Sequence, residues 1–408
     1  MISVKADPRI AKLHTEVLEE LTGNILPYWM NKMTDEVDGG FYGRRDGNDE
    51  LVARSDKGII LNTRILWTFS HAYRVLSNHP ERNKHLAAAT RAFQYIVENF
   101  IDSENGGLYW MVNYQGKPVY TKKQIYAQAF GIYAFTEYHR ATGEKKALDL
   151  AIELYKLIEQ HSYDRTRGGY LEAFDRDWAV LEDLRLSEKD ANERKTMNTH
   201  LHVLEAYTNL YACWKNTQLG NQLEKLIRIF LDKMINKHDH LDLFFDDDWN
   251  VKSGTISFGH DIEASWLLQE AAEILGDEEL IRETKAVALK LVRSVEREGL
   301  NAHGALINEI HGDGSRDTDI HWWPQAEALV GFVNAWQING NEQDLARALT
   351  LWEFIKQHVV DVKGEWHWRL NDANVVVRTE DKAGPWKCPY HNGRACIEVF
   401  KRLEGKVL

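Results

Sequence analysis

Cysteine and proline are scarce in this chain of 408 residues, which carries three of the first and seven of the second. The thiols are Cys213, Cys388 and Cys396, an odd set that cannot all pair internally. A disulfide-stapled miniature is therefore excluded, and free thiols in a reducing, cytoplasmic compartment are expected. With so few prolines and no Ser/Gly-rich linker there is no domain boundary to place, which predicts one domain over residues 1–408. Basic runs are also missing. Lys+Arg number 50 against 62 Asp+Glu, a net charge of −12, which argues against nucleic acid and against anionic membranes as partners. No apolar run approaches the length of about 18 residues that a membrane span needs, and the amino terminus lacks the apolar stretch of an export signal. At 44% hydrophobic and 27% charged, the chain has enough apolar residues for a large core.

What the sequence does contain is repetition. Short aromatic segments return along it: Gly39-Gly40-Phe41-Tyr42, Gly106-Gly107-Leu108-Tyr109, Gly168-Gly169-Tyr170-Leu171, Leu241-Asp242-Leu243-Phe244, His303-Gly304-Ala305-Leu306 and Gly364-Glu365-Trp366-His367. Their first residues stand 67, 62, 73, 62 and 61 apart. Each is too short for a helix and reads as a brief strand or turn. Between consecutive connectors there is room for two helices, and apolar residues recur there at three- and four-residue spacing. The expectation is twelve helices in pairs. The first of each pair is amphipathic, as in Asp277 to Glu298 or Asn341 to His358. The second is apolar nearly all round, as in Gln124 to Arg140 or Trp323 to Gly340, and so belongs inside. An all-α (α/α)6 barrel of six inner and six outer helices is the simplest closed arrangement, with short strands or turns in the connectors. An open solenoid fits the long repeat less well.

Polar and aromatic residues recur near the start of each inner helix: Arg64, Tyr126, Asn198, His260, Trp323 and His391. Their separations of 62, 72, 62, 63 and 68 keep the register of the repeat. In a closed barrel these starts meet at one end, in a funnel suited to a polar, uncharged ligand. Taken singly each has a plainer reading: a surface ion pair for Arg64, core aromatics for Tyr126 and Trp323, a helix cap for Asn198. Convergence is what lifts them above it. Glu263, three residues after His260, lies on the same helical face and is expected to orient that imidazole. In TMNTHLH, His202 shares a face with Asn198 while His200 points away, so His202 is assigned to the funnel. No HExxH or CxxC spacing suggests a metal, and no GxGxxG or GxxxxGK[ST] suggests a nucleotide, so no cofactor is expected.

The stretches LNTRILWTFSHAYR, MNTHLHVLEAYTNLY, SFGHDIEASWLL, DTDIHWWPQAEALVGF and GPWKCPYHNGRACIE make the sequence resemble the N-acylglucosamine 2-epimerase superfamily, most closely its cellobiose 2-epimerases. The resemblance spans residues 61 to 398 and implies an (α/α)6 barrel that interconverts reducing-end glucose and mannose of β-1,4-linked disaccharides without metal or nucleotide. It implies that His260 and His391 are the acid/base pair, that Arg64, Asn198 and His202 hold the reacting end, and that Glu263 supports His260. Trp323, Trp386, Tyr126 and Asp190 would bind sugar, Asp190 on the resemblance alone. Glu327 completes the candidate binding residues. The rival readings are an epimerase or aldose–ketose isomerase of free mannose or glucose, a glycoside hydrolase using Glu263 and Glu327, and a noncatalytic carbohydrate-binding protein.

Overall fold

Residues 7–188 and 190–405 are described by a computed structural model, and twelve helices stand among them. In chain order they are α1 (8–32), α2 (Ile59–Val75), α3 (Arg82–Asn99), α4 (Ile125–Thr142), α5 (Lys145–His161), α6 (Met197–Cys213), α7 (217–234), α8 (Phe258–Leu275), α9 (Glu278–Glu298), α10 (Trp322–Asn339), α11 (342–359) and α12 (Tyr390–Leu403). The helices α1, α7 and α11 each contain one π turn.

Even-numbered helices form the inner ring. Each packs on the next, and α12 closes the circle on α2. Their composition explains the placement: in α4, every residue from Ile125 to Tyr138 is buried, so no face is left for water. The odd-numbered helices form the outer ring, buried along one stripe only; α9 hides Leu280, Thr284, Ala288, Leu291 and Val295 and exposes charge elsewhere. Asp277 and Asn341, where the sequence opens two amphipathic helices, are their N-caps, with side chains accepting from backbone N–H groups of the first turn.

One expectation is reversed. Between consecutive connectors the inner helix comes first and the outer second, because the chain passes from each connector straight through the core and returns outside. The connectors behave as read: six antiparallel bridges close them, Thr34 to Phe41, Ile101 to Leu108, Tyr163 to Tyr170, Ile235 to Leu241, Leu300 to Leu306 and Val360 to Trp366.

A device absent from the sequence reading locks these connectors together. The two-residue strands entering α2, α4, α6, α8 and α10 each pair antiparallel with a strand of the following connector. Buried ion pairs reinforce the seam: Lys57 to Asp35 at 2.7 Å, Lys123 to Asp102 at 3.0 Å and Lys195 to Asp164 at 2.9 Å. The N-termini of the inner helices are thereby held at one end of the barrel. At the opposite end α8 stops at Gly276, whose φ of 83° is the left-handed cap that terminates a helix.

Candidate active site

The inner-helix starts surround a cavity of about 810 Å³. Arg64, Tyr126, Asn198, His202 and His260 line it. Glu263, Trp323, Trp386, His391 and Asp190 line it as well, so ten of the eleven candidate residues converge. Glu327 is the exception. His200 is occupied elsewhere: its Nε2 accepts from the Tyr170 N–H at 2.9 Å and its Nδ1 meets the Thr196 carbonyl at 2.7 Å. His202, and not His200, is among the residues lining the cavity. Asn198 is not a cap either. Thr196 caps α6 through the Thr199 N–H, leaving Asn198 in the first turn with its Oδ1 unpartnered by protein.

Five described imidazoles line this cavity, among them His202, His260 and His391, each gripped through Nδ1. His202 Nδ1 lies 3.0 Å from Glu205 Oε2, His260 Nδ1 2.7 Å from Ser257 Oγ, and His391 Nδ1 2.7 Å from Glu327 Oε1. In each ring Nε2 is the nitrogen left for a ligand. Burial drives His260 down to about 3, with His202 adding to the shift. Burial also lowers His391, helped by the charges of Arg64 and Arg394. Burial thus favours the neutral form of each ring, the form that accepts a proton.

Two expectations are corrected here. Glu263 does not support His260; its Oε1 accepts from Arg394 Nη2 at 2.5 Å, and a serine holds the ring instead. The i,i+3 relation puts two side chains on one face but does not prevent a stronger partner from capturing one of them. Glu327 is not among the residues that line the cavity. It stands behind His391, where Oε1 takes His391 and Arg394 and Oε2 takes the Trp266 indole N–H at 3.2 Å.

Arg394, which the sequence reading passed over, is the hub of this floor. Its side chain is 1% exposed and binds Glu205, Glu263 and Glu327 together with the Tyr390 hydroxyl. Three carboxylates on one guanidinium cannot all keep their charge cheaply, and Glu263 is pushed up to about 7 by burial and by Glu327. Sequence signals existed: Glu205 stands three residues after His202, Arg394 three after His391 and Ser257 three before His260. Glu263, Glu327 and His391 lie close enough to suggest a cation site, but the Arg394 guanidinium already binds both carboxylates.

Arg64 is a buried cation of another kind. Its Nη2 donates to the Tyr126 hydroxyl at 2.8 Å and its Nη1 to the Trp386 carbonyl at 3.4 Å. The guanidinium lies over Phe130 and Tyr390, 4.4 and 4.8 Å from their ring centroids. Among the described residues none of its hydrogen-bond partners is a carboxylate. A desolvated, unneutralised cation facing a cavity is suited to negative charge developing on a ligand.

Aromatic rings shape the walls. Trp323 lies 4.8 Å from His260 and 5.6 Å from His391, centroid to centroid. Gly259 permits this approach, since a Cβ there would stand 2.4 Å from the Trp323 indole. Trp386 leans on Trp110 at 5.9 Å and on Tyr126 at 6.1 Å.

The chain is similar in sequence and fold to known proteins. The model of the N-acylglucosamine 2-epimerase (GlcNAc 2-epimerase) family matches residues 40–395. A cellobiose 2-epimerase of Bacteroides fragilis is 52% identical over 95% of this chain and 98% of its own length. One from Ruminococcus albus is 41% identical over 95% and 98%. The solved structure of cellobiose 2-epimerase from Bacillus thermoamylovorans superposes with a TM-score of 0.92 at 39% identity, covering 96% of this chain and all of that one.

Proposed function

The chain belongs to the N-acylglucosamine 2-epimerase family, and from that premise we propose that it epimerises carbon 2 of the reducing-end sugar in β-1,4-linked glucose- or mannose-containing disaccharides. The observation that carries this reading is the trio of imidazoles pinned through Nδ1 around an unneutralised guanidinium. Inverting carbon 2 of an aldose requires ring opening, removal of the proton beside the carbonyl, and return of a proton to the opposite face of a planar enediolate. His260 and His391 serve as the two proton carriers, one for each face, and exchange roles with direction. Arg64, with the Asn198 amide and His202, takes the charge that develops on the enediolate oxygens. Tyr126, Trp323, Trp386 and Asp190 bind the sugar rings. The helices act as one catalytic domain. Unpaired thiols at Cys213, Cys388 and Cys396 favour a cytoplasmic location, and no described helix is long and apolar enough to cross a membrane.

Glycoside hydrolysis fits the geometry poorly. It needs two carboxyl groups about 5 to 9.5 Å apart with the scissile bond between them. Here Glu263 and Glu327 converge through one oxygen each on the same Arg394 nitrogen. Incubation with cellobiose followed by product chromatography tests the reading. A disaccharide ending in mannose is expected; release of free glucose, or turnover confined to free mannose, would contradict it.

Two further results are expected. Trp386→Ala should raise KM for cellobiose by about tenfold or more while changing mannose turnover little, because stacking on the second ring is remote binding energy. Equal losses on both sugars would place Trp386 at the reacting ring. Prolonged dialysis against a chelator should leave kcat unchanged, since guanidinium and imidazole complete the chemistry. Loss restored by one divalent ion would instead make Glu263, Glu327 and His391 ligands.

A further inference from the structure

Two of the three pinned imidazoles are held by carboxylates and one by a hydroxyl. Ser257 sits at the N-cap position of α8, where a serine ordinarily accepts a backbone N–H of the first turn. It makes no such bond. In the corresponding position of α6, Thr196 does cap, through the Thr199 N–H at 3.2 Å. The Ser257 hydroxyl is turned instead to His260 Nδ1, at 2.7 Å. The side chain is buried, and its main chain is paired across the connector with Glu309.

The carboxylates nearest in sequence are engaged elsewhere. Asp261 binds His240 Nδ1 at 2.7 Å and the Leu241 N–H at 2.8 Å, and Glu263 is held by Arg394. From neighbouring elements His260 faces His202 on α6, Trp323 on α10 and His391 on α12, with Glu309 across the connector. Among the described residues the hydrogen bond seen on the ring is that from Nδ1 to Ser257.

We propose that Ser257 is the positioning residue of His260, a hydroxyl standing where a carboxylate would overstabilise the imidazolium. This rests on His260 being a proton carrier at carbon 2. When neutral His260 donates Nδ1–H to Ser257 Oγ, the Nε2 lone pair is free to take the carbon 2 proton. The resulting imidazolium keeps Nδ1–H on the hydroxyl while protonated His391 delivers a proton to the opposite face; in the reverse direction the His260 imidazolium gives Nε2–H to carbon 2 and neutral His391 takes the proton, so the proton account balances both ways. Glu327 supplies a counter-ion to a protonated His391; Ser257 supplies only orientation, and the proton on His260 stays easy to release. The two carriers are thus inequivalent by construction.

The test compares Ser257→Ala, Ser257→Thr and Ser257→Asp with the unaltered protein, by kinetics on cellobiose across pH and by ¹⁵N NMR of the histidine rings. Loss of an orienting partner of a reactive imidazole should lower kcat of Ser257→Ala by about 10- to 100-fold. KM and thermal midpoint should be nearly unchanged, since the hydroxyl caps nothing. Ser257→Thr should restore most of the rate. Ser257→Asp should raise the basicity of His260, so that protonation removes the base at higher pH and the acid limb of kcat/KM moves upward. In the NMR arm, which requires no turnover, the His260 Nδ1 resonance should shift in Ser257→Ala. Three results would each overturn the proposal: an unshifted His260 resonance, full activity in Ser257→Ala, or a threonine variant as impaired as the alanine. A normal NMR shift in a protein that never exchanges carbon 2 would leave the Ser257–His260 pair intact and refute the proposed reaction instead.

Discussion

Replacing His391 by asparagine should leave a folded protein that still binds cellobiose but no longer delivers its epimer, with kcat reduced by about 10² to 10⁴-fold or more. Asparagine preserves a hydrogen-bonding group for Glu327 Oε1, which now stands 2.7 Å from His391 Nδ1, so the buried carboxylate is not left bare. His260→Asn should be as damaging, because neither direction of reaction finishes without both carriers. The two variants should nevertheless differ. Each retains one base, and each should wash the carbon 2 hydrogen of one epimer into solvent without forming the other. Near-normal turnover in either variant would refute the two-carrier assignment and favour one base acting on a rotating intermediate.

The second large effect concerns the floor. Arg394→Met should destabilise the protein by about 3 to 5 kcal/mol, the usual consequence of removing one partner from a buried charge cluster. Glu205, Glu263 and Glu327 would be left with no other basic group among their described ion-pair partners apart from the imidazoles of His202 on Glu205 and His391 on Glu327. The sign of the pH dependence follows. Lowering pH protonates the stranded carboxylates, Glu263 first since it is already raised to about 7, and so the deficit should shrink on acidification. Urea denaturation of both proteins at several pH values measures this. A deficit below about 1 kcal/mol, or one that grows as pH falls, would mean that Arg394 is not the counter-ion of the three glutamates.

Much of the site could be read from the chain because it follows the repeat. Arg64, Tyr126, Asn198, His260, Trp323 and His391 recur at helix starts, and closing the ring brings the starts together whatever their individual chemistry. The hydrogen-bond partners were harder to read. Helical spacing proposes Glu263 for His260, but Arg394 arrives from α12, 131 residues away, and takes that carboxylate. Ser257 occupies the N-cap position of its helix, yet its hydroxyl turns to the ring. Glu327 looks like a ligand residue of the Trp323 helix, yet the crossing of α10 with α12 places it behind His391. Lys57, Lys123 and Lys195 stand inside, and nothing local says that Asp35, Asp102 and Asp164 of the preceding connectors will meet them. In each case the missing information is long-range. The order of inner and outer helices failed for a simpler reason: hydrophobic periodicity tells which helix is buried but not which way the chain enters the barrel.

The central claim is that carbon 2 loses its proton to one imidazole and regains another from the second. Cellobiose converted in deuterated buffer, quenched after a few per cent of reaction and examined by proton NMR and mass spectrometry, tests it most directly. The account predicts a product disaccharide ending in mannose that carries one deuterium at carbon 2, with unreacted cellobiose still protonated there. Product that retains the original carbon 2 hydrogen would contradict it.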